Sequence, residues 1–181
     1  MKDSASGRQI LVRDAEDGDM AAVQAIYAHH VMHGIASFEE DEPAVAEMIR
    51  RRDAILQHRL PYRVALLDGE VKGFAYAAPY RNRPAYRHTV EDSVYVAADT
   101  LGLGLGRAML GDLIERCTEL GYRQMVAVIG DSGNHSSINL HGGLGFEKIG
   151  VMISVGFKLG GWVDSVIMQR PLGEGDGTPP A

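Results

Sequence analysis

Three glycines alternate with leucines in Leu101-Gly102-Leu103-Gly104-Leu105-Gly106, between an apolar run at 89–97 and a helical pattern that stops at Gly121. Glycines at such a junction let backbone N–H groups converge on an anion, and the following helix N-terminus adds its positive end. A pyrophosphate suits such a loop; the competing reading is a flexible strand-to-helix turn. No Gly-Lys-Ser/Thr follows, so the lysine and magnesium-binding hydroxyl of a P-loop are missing. The dinucleotide spacing G-x-G-x-x-G needs a glycine at 107, where Arg107 stands.

Glu91 opens the apolar run after the loop Pro79–His88. Strand alternation puts it on one face with Ser93 and Tyr95, and puts Asp92, Val94 and Val96 on the other. A carboxylate there is a candidate general base, and an ion pair with Arg81, Arg83 or Arg87 is the alternative. Asp92 reads as structural. His141 follows Ile138 by three, so both can face inward on one helix, where His141 is either a proton donor or a core histidine on a carbonyl. Asn134 suits a helix N-cap. Cys117 shares a face with Met109, Leu113 and Leu120 and reads as a core thiol. His29 and His33 have i, i+4 spacing without the H-E-x-x-H pattern, and no metal is expected.

Those side chains need a scaffold, and periodicity outlines it. A strand at 9–13 precedes a helix capped by Asp17 and stopped by Gly34. A second helix lies between Pro43 and Pro61. Strands at 62–67 and 71–78 flank Asp68-Gly69-Glu70, a hairpin signal. After the 89–97 strand and the glycine-led helix come a strand at 125–129, a helix from about Asn134 to Gly142, and strands at 146–155 and 163–168. The order β-α-α-β-β-β-α-β-α-β-β is a mixed α/β domain over 9–171. It follows an N-terminal extension at 1–8 and precedes a Gly/Pro-rich tail at 172–181 that composition marks as disordered.

This order, the glycine loop, Asn134-x-x-Ser137 and Leu140-His141-Gly142-Gly143-Leu144-Gly145-Phe146 together resemble the GNAT N-acetyltransferases. Three segments resemble their phosphinothricin acetyltransferase branch: 36–40, 86–96 and 156–164. The resemblance implies a mostly antiparallel central sheet flanked by helices, and acetyl-CoA as the cosubstrate. It places the catalytic base on Glu91 and the thiolate's proton donor on His141. Cofactor contacts fall on Val94, Tyr95, Val96, the segment Leu101, Gly102, Leu103, Gly104, Leu105, Gly106 and Arg107, and on Asn134 and Ser137. Val94 and Val96 would use their backbone. The family usually has Arg or Gln where Leu101 stands. Acceptor contacts fall on Phe38, Arg81, Arg83, Tyr86, Lys158 and Trp162, for a small amino acid or analogue whose carboxylate suits an arginine fork. The branch is often dimeric, which implies a homodimer.

Two other functions use the same residues. A dinucleotide-dependent oxidoreductase would place a ribose on Asp131, and a non-catalytic module would bind acyl-CoA without turnover. The composition narrows the rest. Eighteen Lys+Arg against 24 Asp+Glu give a charge of −6, which disfavours nucleic acid, whose binding is mostly phosphate neutralisation. No apolar run approaches the ~20 residues that span a bilayer, so no membrane partner is expected. One cysteine and no signal-like N-terminus lead to an expected cytoplasmic location.

Overall fold

Strand β2 (Tyr62–Leu67) turns into β3 (Glu70–Pro79) through Asp68 and Gly69, with φ of 52° and 89°. Two positive φ angles in a two-residue loop make the tight turn whose twist matches antiparallel strands, so the hairpin forms where Asp-Gly signals it. The computed structural model describes residues 9–180, and the expected extension at 1–8 lies outside the described residues. Strand β1 (Ile10–Asp14) pairs with β2, and β3 pairs with β4 (Thr89–Val96), all antiparallel. Strand β5 (Gln124–Gly130) is parallel to β4, whereas β7 (Gly161–Pro171) enters antiparallel between β5 and β6 (Glu147–Lys158). The sheet order is β1-β2-β3-β4-β5-β7-β6, with β4–β5 its one parallel pair. The mostly antiparallel sheet expected from the resemblance is observed.

Helices α1 (Met20–His33) and α2 (Val45–Gln57) cover one face; α3 (Leu105–Glu119) and α4 (His135–Gly142) cover the other. Neighbouring residues of β3 show the division. Phe74 meets Tyr27 of α1 edge-on at 6.3 Å, and Gly73 lies under Met109 of α3. Phe74, Met109, Leu113 and Cys117 are fully buried, and burial pushes the Cys117 thiol up to about 12. Cys117 is therefore the core residue its helix face predicts. No helix among the described residues is long and apolar enough to cross a membrane.

Two expectations are corrected. The last hairpin is longer than its apolar runs, because β6 and β7 continue to a two-residue turn at Leu159-Gly160, with φ of 50° and 80°. Leucine disfavours that backbone region, so the turn carries no Asn-Gly or Asp-Gly signature. The tail is also packed rather than loose over the described residues. Leu172 is buried and its N–H donates to Arg123 O at 2.9 Å. The Arg123 guanidinium donates to Gly175 O and Thr178 Oγ1, at 3.3 and 3.2 Å.

After α1 the chain crosses β5 at Gly130. A Cβ on Gly130 would lie 2.4 Å from Ile35 O and 3.2 Å from Ala36 O, both backbone atoms. Glycine is required there by close approach alone. Gly130→Ala should lower stability by ~1–3 kcal/mol, the usual cost of overpacking, measured by denaturant unfolding. An unchanged midpoint would show that the 35–36 segment yields freely.

Candidate active site

The β4–β5 ladder lasts four residues, from Thr89↔Gln124 to Asp92↔Ala127. Beyond it β4 stays with β3 up to Val96↔Gly73, and β5 stays with β7 up to Gly130↔Ser165. The strands part into a cleft of about 400 Å³. Ala97 N–H donates to Lys72 O of β3 at 2.8 Å, so alternation turns the backbone groups of Val94 and Val96 towards the gap. The Val96 carbonyl accepts a hydrogen bond from His30 Nε2 at 2.9 Å. Val96 N–H and both polar groups of Val94 then form an unfilled strand edge, which suits an extended, amide-bearing arm.

Leu101 lies at the far end of the cleft and is exposed. Gly102 and Gly104 have φ of 76° and 93°, and Gly104 is the N-cap of α3 with no side-chain cap. The first N–H groups of α3 are thus open to an anion. Within the loop, Leu105 is fully buried, so only its backbone can meet a ligand, and Leu103 is half-buried against the core. A Cβ at Gly106 would approach Leu140 Cδ2 to 3.1 Å and Val96 Cγ2 to 3.7 Å. Arg107 Nη1 donates to Gly143 O at 3.2 Å, joining α3 to the turn after α4.

Asn134 caps α4, its side chain accepting from Ser137 N–H at 3.1 Å, and both residues line the cleft. Asp131 lines it too, but its carboxylate accepts from Gly133 N–H at 3.0 Å within the turn. His141 is buried on the same wall. Its Nδ1–H donates to Ser137 O at 2.8 Å and its Nε2 meets Asp92 Oδ2 at 3.0 Å. A carbonyl oxygen and a carboxylate oxygen both accept, so the two contacts suit a ring carrying a proton on each nitrogen. Burial disfavours that charge, but the hydrogen bond and charge of Asp92, helped by Ser137 O, outweigh it and raise the pKa. Asp92, read from sequence as structural, is the counter-ion of a candidate catalytic histidine.

Glu91 lies on the other face, with Ser93 and Tyr95. Tyr95 packs edge-on against Tyr27 at 5.1 Å, so only its backbone borders the cleft. No ion pair with Arg81, Arg83 or Arg87 forms among the described residues. Burial, and then the neighbouring Asp92 charge, raise the Glu91 pKa, while the Arg81 charge lowers it in part. A partly buried carboxylate without a salt bridge is what a general base requires.

The expected acceptor residues divide. Arg81 lies over the Tyr80 ring at 5.1 Å, and Tyr80 meets Tyr86 edge-on at 5.5 Å, which organises the loop before Glu91. Arg83 is exposed and starts the short turn 84–86. Phe38 lies on Gly156 of β6, where a Cβ would come within 2.4 Å of the ring. Trp162 is exposed on the same hairpin, edge-on to Phe157 at 5.4 Å. Lys158 corrects its expectation: it is buried, and its Nζ donates to Ser37 O at 2.6 Å. Its ammonium anchors the Phe38 segment instead of facing a substrate.

Sequence reasoning missed His30, which lines the cleft while its neighbours His29 and His33 lie tilted against each other at 5.1 Å. Burial lowers its pKa, so it donates to Val96 O as a neutral ring. The signal was its place on the apolar stripe of α1, one turn after Ile26.

An open strand edge at a sheet split, and a glycine turn feeding a helix, define an acyl-carrier-binding α/β fold. The chain belongs to the GNAT acetyltransferase family, whose model matches residues 23–146. It is 53% identical over 169 residues, 93% of this chain and 86% of the relative, to the phosphinothricin N-acetyltransferase of Alcaligenes faecalis. It is 41% identical to an L-methionine sulfoximine/L-methionine sulfone acetyltransferase of Pseudomonas paraeruginosa, over 89% of this chain and 94% of that one. A crystal structure of a phosphinothricin acetyltransferase from Sinorhizobium meliloti with acetyl-CoA superposes with a TM-score of 0.92 at 48% identity. It covers 95% of this chain and 93% of that one. The dinucleotide reading is set aside by the single parallel strand pair and by this membership.

The raised pKa of His141 carries a sign. A group that holds its proton more tightly when folded contributes stability fully below its unfolded pKa near 6.5. That contribution is lost as pH rises from there through the raised folded value. Asp92→Asn should remove most of this pH dependence and lower the His141 titration midpoint, followed by NMR of the ring protons. An unmoved midpoint would show that Asp92 does not hold the charge.

Proposed function

We propose that this acetyltransferase moves the acetyl group of acetyl-CoA directly to the α-amine of a small amino acid or analogue, of the phosphinothricin or methionine sulfone type. The observation that carries the reading is the open Val94–Val96 edge in a cleft that runs to the α3 glycine turn. The edge suits pantetheine amides, and the N-terminus of α3 suits the pyrophosphate. Leu101 adds no charge there, so backbone donors do that work. The likeness to the Alcaligenes, Pseudomonas and Sinorhizobium proteins supports the same acceptor class.

In the proposed reaction the acceptor ammonium loses a proton to Glu91, directly or through water. The freed amine attacks the thioester carbon, its nitrogen gives a second proton to water in the cleft, the C–S bond breaks, and sulfur leaves as a thiolate. The backbone N–H of Val96 faces the gap and is placed to polarise the thioester carbonyl. His141 supplies positive charge on the wall of the cleft where the thiolate develops, and gives sulfur a proton once one N–H turns from Ser137 O or Asp92 Oδ2. Cys117 is buried in the core and takes no part. The fork of Arg81 or Arg83 would receive the acceptor carboxylate, with Phe38, Tyr86 and Trp162 around the side chain.

A homodimer formed through β6 belongs to the same proposal. This strand is one edge of the sheet, and Ile153 and Val155 in its bulge and Phe157 beyond it are each more than half exposed. An unpaired apolar edge of this kind favours a second copy across a two-fold axis. The proposed place of action is the cytoplasm, where a thiol such as Cys117 stays reduced.

The test is release of free thiol from acetyl-CoA across amino acids, sulfone and sulfoximine analogues, phosphinothricin and polyamines. Turnover confined to polyamines would reject the acceptor class. Glu91→Gln should lower kcat by about 10²–10⁴-fold, less at high pH where the amine is already neutral. Near-normal turnover at pH 7 would remove Glu91 as base. Loss of a carboxylate pair costs ~1.5–3 kcal/mol, so wild type should prefer an acid over its amide by about 10–150-fold in kcat/KM. Arg81→Ala or Arg83→Ala should erase that preference without slowing the amide.

A further inference from the structure

The cleft wall at Gly34, Ile35 and Ala36 continues along the chain into Ser37, Phe38 and Glu39. Phe38 is 42% exposed, whereas Ser37 beside it is buried. From the helix side, Tyr27 Oη meets Ser37 Oγ at 3.0 Å and donates to Glu39 Oε1 at 2.8 Å. Arg51 Nη1 donates to the same carboxylate at 2.7 Å. The other support is the end of β6. Gly156 and Lys158 lie two residues apart where β6 pairs regularly with β7, so they share one face. Gly156 leaves room for the Phe38 ring, whose atoms would lie 2.4 to 2.9 Å from a Cβ there. Lys158 Nζ donates to Ser37 O at 2.6 Å. One face of the hairpin therefore holds both the Phe38 ring and the carbonyl just before it.

An ammonium is a costly donor to bury for one carbonyl, since it loses its hydration. Lys158 is 5% exposed; burial lowers its pKa, and the charges of Glu40 and Glu39 offset that only in part. The return is a charge-assisted bond, stronger than a neutral one, between segments 121 residues apart. We infer that Lys158 is a positioning residue for the acceptor: with Gly156 it sets Phe38 beside the cleft and so decides how tightly an acceptor side chain is held. In the acetyltransferase reading on which this rests, Phe38 meets the acceptor side chain, while Glu91 and an arginine take its amine and carboxylate. The Val94–Val96 edge rests on β3 and His30 instead, so acetyl-CoA binding does not depend on Lys158.

The test is steady-state kinetics of the intact enzyme, with acetyl-CoA and acceptor varied separately. Lys158→Met keeps an unbranched side chain and removes the ammonium. It should raise the acceptor KM about 10-fold and leave kcat and the acetyl-CoA KM within about twofold of wild type, the pattern of lost acceptor binding. Gly156→Ala displaces the ring while keeping the Lys158 bond, and should raise the same KM. Phe38→Ala should cost as much as Lys158→Met, and the double variant no more than either, because the same contact is lost each time. Every acceptor KM is measured with the amine that wild type turns over fastest. Failure of the amino-acid reading then shows in wild type, and failure of the Lys158 role shows in the variants. Additive losses in the double variant, equal rises in both KM values, or an unaltered acceptor KM in Lys158→Met or Gly156→Ala would overturn this role.

Discussion

Strand β4 loses its partner after four paired residues, and the rest of the site follows from that loss. β5 cannot follow it, because β7 holds β5 in register up to Gly130 and the 35–36 segment lies against Gly130. β4 cannot follow β5, because Ala97 and the residues before it are bonded to β3. The sheet therefore carries an interior edge. Exposed ladder groups at an edge are unsatisfied until something pairs with them, and a binding cleft turns that into affinity. His30 satisfies one carbonyl, and the remaining groups are left for a ligand.

The two faces of β4 have different supports. On the α3–α4 face, Asp92 and His141 join the strand to α4 where the ladder ends, and the cap at Asn134 fixes where that helix begins. On the α1–α2 face, the stacked rings of Phe74 and Tyr95, with Tyr27 edge-on to both, support the strand. The Ser37–Glu39 segment is tied to this face by three side chains. Tyr27 bonds to Ser37 and Glu39, Arg51 bonds to Glu39, and Lys158 reaches Ser37 O from the last hairpin. Phe38 is thus presented from a segment whose neighbours are both fixed. Such second contacts are what hold a binding side chain in place.

Much of the fold was legible because its signals are local. Asp68-Gly69 marks a turn that only positive φ permits, and the stripe from Met20 to Val31 marks α1. The cleft residues were legible for a different reason: strand alternation fixes which backbone groups of β4 face β5. Long-range pairings were not legible. Nothing near Lys158 in sequence announces a carbonyl 121 residues away, and a lysine on a late hairpin reads as a surface cation. His30 was hidden by its neighbours, since three histidines on one helix draw attention to the metal-like pair. Asp92 was underread for the same reason, because its partner lies 49 residues on. The packed tail depends on Arg123, whose fork collects carbonyls that composition alone cannot place.

Adjacent carboxylates at Glu91 and Asp92 are separated in function by the pleat of one strand. Consecutive side chains point to opposite faces, so the two acids cannot share a proton or a partner, although each feels the other's charge. Asp92 meets a cation and is committed to it. Glu91 meets none, and burial together with the charge of Asp92 raises its pKa. In the proposed reaction the reacting atoms lie in the gap between the faces, where the strand edge is open, because that is the place both groups can serve. A third residue inserted between Glu91 and His141's counter-ion would put both carboxylates on one face, and the division of labour would collapse.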